Sequence, residues 1–229
     1  MHSARVSAAS QSIDGFPDAP VPRRGRPRKV TPEAAIEAAM RVFWKAGFQG
    51  ASIDQLSRAT GMPRATLYQS HGGKEGLFID AVAHFRRTRM KTAMDALHGT
   101  GVLRHDLARF YEALIDMALS EPSAPGCLMA SALSDAAGAN MRLRQELDTQ
   151  FNALEAALAA RFEHVQEELH PHLTDSTTCP QAVILMAASV ARGLMLRARA
   201  GADRPTLLAA TRVAVEALCT DRDPRAAVR

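Results

Sequence analysis

Residues 61–70, GMPRATLYQS, decide how this chain is read. They have the form of the turn and second helix of a helix-turn-helix, the unit that lays a short helix in the DNA major groove. Gly61 stops the helix before the turn, because a tight inter-helix turn favours a residue that tolerates positive φ. Pro63 restarts a helix where its missing N–H costs nothing. Ala65 is small enough for close backbone approach, and Arg64, Thr66, Tyr68 and Gln69 offer hydrogen-bond donors on the other faces. The helix before the turn has its own start signal. Ser52 is predicted to cap it, with Gln55 closing a capping box and Ile53 and Leu56 facing inward.

Working outward, Thr31-Pro32-Glu33 opens a longer helix whose apolar positions Ile36, Met40, Phe43 and Trp44 fall at helical spacing, and Gly47 ends it. Gly72-Gly73 breaks the chain after the second helix of the motif, and Lys74-Glu75-Gly76-Leu77-Phe78 opens a fourth helix. Ile36, Met40, Phe43, Ile53, Leu56, Leu67 and Leu77 are the expected small shared core.

Charge is concentrated in the same region. The 229-residue chain has a net charge of +4, yet residues 23–74 alone carry +7, which leaves −3 for the remainder. A basic module on a mildly acidic remainder is the electrostatic footprint of a nucleic-acid reader with a second function. The three cysteines, Cys127, Cys179 and Cys219, are far apart and odd in number, which fits a reducing compartment rather than a disulfide framework. The first thirty residues lack an apolar signal core and no apolar run reaches membrane-spanning length, so a soluble cytoplasmic protein, with no membrane partner, is expected.

Ahead of the first helix, residues 23–29 read RRGRPRK. A Gly-Arg-Pro centre flanked by basic residues is suited to a narrow minor groove, with Arg26 entering and Arg24 and Arg28 beside it. The plainer reading is a solvated basic tail with salt-sensitive, sequence-independent attraction. Beyond residue 80 the chain is alanine-rich and helical throughout. Helices are expected at 74–97, 103–120, 127–137, 141–169, 180–200 and 205–220, with Gly/Pro-rich breaks between them and no strand pattern. The fold class is all-α: a tail at 1–28, a three-helix helix-turn-helix domain at 29–78, and a helical bundle at 79–229.

Through Thr31-Pro32, Phe43-to-Gly47, Ser52, Gly61, Thr66-Leu67-Tyr68 and Lys74-Glu75, residues 29 to 78 resemble the N-terminal domain of the tetracycline-repressor (TetR) family. Ser70 and His71 depart from the family pattern, which commonly has a histidine and then a phenylalanine there. The resemblance implies phosphate contacts from Ser52, Thr66, Tyr68 and Lys74. Base reading falls to Arg64, which suits guanine, to Gln69, which suits adenine, and to Ala65 against a thymine methyl. No acid partner for Arg64 is evident within the motif.

The resemblance also implies a C-terminal helical-bundle ligand-binding and dimerisation domain. Its last two helices, through Val183, Ala187, Val190 and Leu194 and then Leu207, Thr211, Val215 and Leu218, are expected to pair with their copies in a homodimer. The plain alternative is that these stripes cover the chain's own core. A ligand pocket is expected among Met90, Met94, Phe110, Tyr111, Leu114, Met117, Met129, Phe151 and Met186, whose soft and aromatic side chains suit an adaptable cavity. An uncharged or aromatic inducer is the default there.

The implied function is a transcriptional regulator, chiefly a dimeric repressor of double-stranded, palindromic operator DNA released by a small molecule. Two alternatives stand beside it: an activator or ligand-independent A·T-preferring binder of the same fold, and a redox-sensing regulator through Cys127, at a helix N-terminus. No nucleophile elbow, phosphate-cradling loop or convincing metal-ligand set occurs, so neither an enzyme, a cofactor nor a metal is expected.

Overall fold

The computed structural model describes residues 31–163 and 179–219, and every element among these residues is helical. The basic arm with Arg24, Arg26 and Arg28 lies outside the described residues. Among the described residues ten α-helices run in the order α1 Pro32–Gly50, α2 Ile53–Thr60, α3 Arg64–His71, α4 Lys74–Thr88, α5 Lys91–Ala96, α6 Leu103–Leu119, α7 Ser134–Ala137, α8 Met141–Glu163, α9 Pro180–Arg199 and α10 Arg204–Leu218. A π-helical turn, Met129–Leu133, leads directly into α7.

Local signals account for the first four helices. The Thr31 hydroxyl accepts from the Ala34 N–H at 3.2 Å and Pro32 sits in the first turn of α1. Gly47, at φ 73°, breaks the regular geometry near the end of α1. At α2 the capping box is complete: Gln55 N–H donates to Ser52 Oγ at 3.2 Å, and Ser52 N–H donates to Gln55 Oε1 at 2.9 Å. Ser57 Oγ donates to Met62 O at 2.6 Å and pins the turn that follows. Pro63 occupies the cap position of α3, one residue earlier than a Pro inside the first turn. Met40, Phe43, Leu56, Leu67 and Leu77 are buried as expected, with Ile36 and Ile53 half-buried at the margin.

Packing of α4 on α1 joins this group to the rest. Phe43 meets Phe78 with ring centroids 4.7 Å apart, and Trp44 meets Phe85 edge-on at 5.0 Å. The apolar core continues from there through α6 to α10, so residue 78, the boundary expected from the sequence, falls within α4. Gly76 makes the close approach of α3 and α4 possible. A Cβ there would lie 1.6 Å from the His71 carbonyl oxygen.

The long helix expected at 74–97 is broken. Arg89 N–H and Met90 N–H both donate to Phe85 O, at 2.7 and 3.3 Å, and the widened turn redirects the chain into α5. No glycine or proline marks that break. The segment expected as a helix from residue 127 is π-helical first. There Ser131 Oγ donates to Cys127 O at 2.6 Å and Ser134 Oγ to Met129 O at 3.1 Å, bonds by which serines compete with regular helix geometry. By length and composition α9 is long and apolar enough to cross a membrane, contrary to the sequence expectation. Its Ala187, Ala188, Ala191 and Ala198 are buried inside the bundle.

Inside the bundle, Tyr111 Oη donates to Ala187 O at 3.0 Å and ties α6 to α9. Asp106 is fully buried and accepts from Arg161 Nε at 3.0 Å, from Thr100 N–H at 2.8 Å and from Thr100 Oγ1 at 2.7 Å. Burial pushes the Asp106 carboxyl up, but the Thr100 and Arg161 donors outweigh it and hold it below the ordinary carboxylate range.

Two outcomes follow for stability. Arg161→Ala leaves a buried carboxylate unpaired and lowers the unfolding free energy in urea by about 3–5 kcal/mol. Because the folded-state carboxyl is depressed, its contribution is complete above the unfolded value of about 4 and is lost as pH falls through the folded value. The urea midpoint of the wild type therefore drops more steeply below pH about 4 than that of Asp106→Asn. Gly76→Ala raises helix propensity by about 1 kcal/mol but destabilises overall, by at least the about 1–3 kcal/mol typical of overpacking. A stabilised Gly76→Ala protein in the same urea titration contradicts the packing argument.

Candidate nucleic-acid interface and interhelical cavity

Helix α3 is anchored by one buried residue, Leu67, and turns the rest of its surface outward. Arg64, Ala65, Tyr68, Gln69 and Ser70 are exposed, and Thr66 is half-buried. Tyr68 is 57% exposed, and its ring lies against Gly73, where a Cβ would come within 3.0 Å of it. The glycine thus leaves room for the ring to lie against the backbone. His71 has taken a polar role where the family commonly packs an aromatic ring: its Nδ1 lies 2.6 Å from Asp80 Oδ2, bracing the end of α3 on α4.

Electrostatics around α3 differ from the expectation at Arg64. Arg64 has an acid partner after all, Asp54 on α2. Both side chains are largely exposed, so the pair contributes little to stability and exchanges readily for a stronger acceptor. Lys74 is not free either. Its Nζ donates to Gln49 O at 3.4 Å and sits 4.6 Å from the centre of the Phe48 ring, and partial burial lowers its pKa. Its charge is thereby held at the α1–α4 corner, beside the N-terminus of α4. Ser52 is exposed; its hydroxyl accepts from Gln55 and keeps its own proton for another acceptor.

Behind these helices lies a cavity of about 280 Å³. Met90, Met94, Leu114, Met129 and Phe151 line it, as the sequence suggested. Phe110, Tyr111 and Met117 do not; they are buried in the core around α6, because the helical stripe that carries them faces neighbouring helices on more than one side. Met186 is on the outer surface of α9 and 39% exposed. The wall contains residues that hydrophobic spacing did not single out, among them Arg86, Gln150, Arg192 and Met195. The Arg192 guanidinium lies 3.8 Å from the centre of the Phe151 ring, and its Nη2 donates to Glu155 Oε1 at 2.8 Å.

Cys127 also reaches the cavity but is buried. Burial pushes its thiol up, against the smaller effect of the Ala130 and Met129 N–H groups. A reactive thiolate needs the opposite shift, so burial disfavours the thiolate form at this position.

Most of the residues expected to pair two chains are buried within the single chain. Val183, Ala187, Leu194, Leu207, Thr211, Val215 and Leu218 are at most 4% exposed within the single chain, and only Val190 is half-buried. Val183, Ala187, Thr211 and Val215 face the core, because the most apolar stripe of each helix covers it first, whereas Val190, Leu194, Leu207 and Leu218 also border an outer groove. This groove, of about 410 Å³, runs along the outer side of α9 and α10, walled by Met186, Val190, Gly193, Ala210, Val213 and Ala217, with Leu194, Leu207 and Leu218 at its floor.

Similarities to known proteins agree with this geometry. The family model for bacterial regulatory proteins of the tetR family matches residues 35–81. The transcriptional repressor ComR of Escherichia coli is 31% identical over 107 residues, a stretch covering 46% of this chain and about half, 51%, of ComR. The transcriptional repressor BdcR of Escherichia coli is 27% identical over 196 residues, covering 86% of this chain and 93% of BdcR. Among solved structures, a cysteine mutant of the TetR family regulator CifR, complexed with 26-bp double-strand operator DNA, superposes with a TM-score of 0.70 at 27% identity, covering 84% of this chain and 99% of that one. With α1–α4 in the arrangement described and these relatives along its length, the chain belongs to the TetR family of DNA-binding transcriptional regulators.

Proposed function

We propose that this protein is a homodimeric repressor that occupies a palindromic operator and is released when a small molecule fills the cavity behind α4. One observation carries the reading. A single helix, α4, begins at Lys74 against the recognition element and carries Arg86, in its last turn, into the cavity wall, about 18 Å further on at 1.5 Å per residue. In this reading residues 29–78 bind DNA and residues 79–229 hold the inducer and the partner copy. A ligand that fits the cavity better in the conformation unable to bind DNA shifts the population toward that state.

On the DNA, Ser52, Thr66, Tyr68 and Lys74 position the protein on phosphates. Arg64 exchanges Asp54 for guanine, with Gln69 and Ala65 reading adjacent bases, and Arg24, Arg26 and Arg28 reach the neighbouring minor groove. Two copies are needed because one short helix reads too few bases to specify a site, and a C₂ dimer matches half-sites about one helical turn apart. The outer groove along α9 and α10 supplies an apolar face for that dimer, with Val213 at its edge.

Footprinting on the chain's own upstream DNA, compared with random DNA across a salt series, tests the reading. A discrete symmetric footprint supports it, and spreading protection with equal affinity for both DNAs counts against it. Arg64→Ala costs about 1–3 kcal/mol on the specific site and relaxes selection at one base. Lys74→Ala weakens all sequences alike and reduces the salt slope by about one. Equal losses on specific and random DNA for Arg64→Ala remove its base-reading role. Val213, at 67% exposure, is the position at which a charge disturbs the pairing face and not the monomer core. Val213→Glu gives a folded monomer by sedimentation velocity, whereas a retained dimer rules out this face.

A further inference from the structure

Among the described residues the cavity wall is apolar except for three side chains, Arg86, Gln150 and Arg192, and no described carboxylate lines it. Gln150 gives its amide N–H to Glu146 at 2.6 Å, outside the wall. Arg192 is half satisfied. Its Nη2 is taken by Glu155, but its Nε is buried and has no hydrogen-bond partner among the described residues. The exposed Arg86 side chain has neither an ion pair nor a hydrogen bond to any described residue. A buried guanidinium N–H without an acceptor is costly, and a cation beside an apolar cavity is stabilised by any anion that shares its surroundings.

Resting on the reading of this cavity as the inducer site, we propose that the inducer is a small organic carboxylate whose acid group is met by Arg86 and Arg192. One negative charge suits the wall better than two, because Glu155 already neutralises Arg192 and leaves Arg86 as the uncompensated charge. The body of the ligand is apolar and preferably aromatic. Met90, Met94 and Met129 offer polarizable sulfur, and Phe151, with Arg192 over its ring, adds an aromatic wall. At about 280 Å³ the space lies just under the about 300–1,000 Å³ of drug-sized sites, so the ligand is a compact one. Arg86 sits in the last turn of α4, so the charge contact falls on the helix that leads to the recognition element.

Calorimetric titration of the full-length protein with three near-isosteric probes tests this: 3-phenylpropanoate, its neutral amide and 3-phenylpropylamine. The wild type prefers the carboxylate to the amide by roughly ten- to a hundredfold, the range of a charge-assisted hydrogen bond. Arg86→Gln, at an exposed position whose loss leaves thermal melting unchanged, removes most of the preference by lowering carboxylate affinity far more than amide affinity. Met94→Trp fills the cavity and removes binding of all probes. Amide or amine binding as tight as carboxylate, yet blocked by Met94→Trp, overturns the carboxylate assignment and leaves the cavity as a ligand site. Carboxylate binding that survives Met94→Trp places the ligand elsewhere and overturns the assignment. Failure of all three probes to bind overturns the reading of the cavity, and the assignment falls with it.

Discussion

The contact between α1 and α4 is the constraint on which the remaining geometry depends. Two aromatic pairs, Phe43–Phe78 and Trp44–Phe85, bury the faces of both helices, and such pairs contribute about 0.5–1.5 kcal/mol each beyond area burial. A polar clamp closes the exposed side. Glu37 accepts from Arg41 and Arg89 at 2.9 and 2.5 Å and lies 3.0 Å from His84 Nε2, while Arg87 Nη2 lies 3.1 Å from His84 Nδ1. A His84 tautomer protonated on Nε2 satisfies both neighbours. Burial raises the Glu37 carboxyl, but its donors hold it below the ordinary value, so it stays charged across the neutral range. With α4 fixed on α1, α3 has one place to sit: Gly76 beneath the His71 carbonyl, Asp80 against the His71 ring and Gly73 behind Tyr68.

A second tie reaches α1 from the far end of the chain. Arg199 Nη1 donates to the Trp44 carbonyl at 3.2 Å, which brings α9 to the same turn of α1 that packs on Phe85 of α4. The helices that put Arg86 and Arg192 into the cavity wall therefore both end on α1. Gly126 keeps the loop before Cys127 close to α9, since a Cβ there would stand 3.0 Å from Met195 O and from Arg199 Cβ. Cavity and DNA-binding helices thus share packed neighbours over a short path, the physical requirement for coupling between two sites.

Legibility in the sequence followed the range of the interaction. Thr31, Ser52 with Gln55, and Gly61 act within a few residues, so their caps and stops were readable in order and place. The break between α4 and α5 was not, because it comes from a widened turn at Phe85–Met90 with no glycine or proline to mark it. The Arg64–Asp54 pair spans two helices set by the turn between them, and nothing in their spacing reveals that the side chains meet. For α9 and α10, apolar spacing does not separate the core face from an outer one: Val183, Ala187, Thr211 and Val215 are buried in the bundle, while Val190, Leu194, Leu207 and Leu218 also line the outer groove with Met186 and Val213.

By itself the sequence determined the class of the protein: caps, breakers and periodicity specify helices through local hydrogen bonds and backbone preferences, and the order of those signals identifies the DNA-binding motif. Tertiary structure alone decided which charges face the cavity and which apolar surface stays uncovered. Arg86 and Arg192 look like solvated helix residues along the chain, and only the packing of α4, α8 and α9 turns both toward one apolar space. Hydrophobic burial is non-directional, so the pattern states that a stripe is buried but not against what. That choice belongs to shape complementarity between helices distant in the chain.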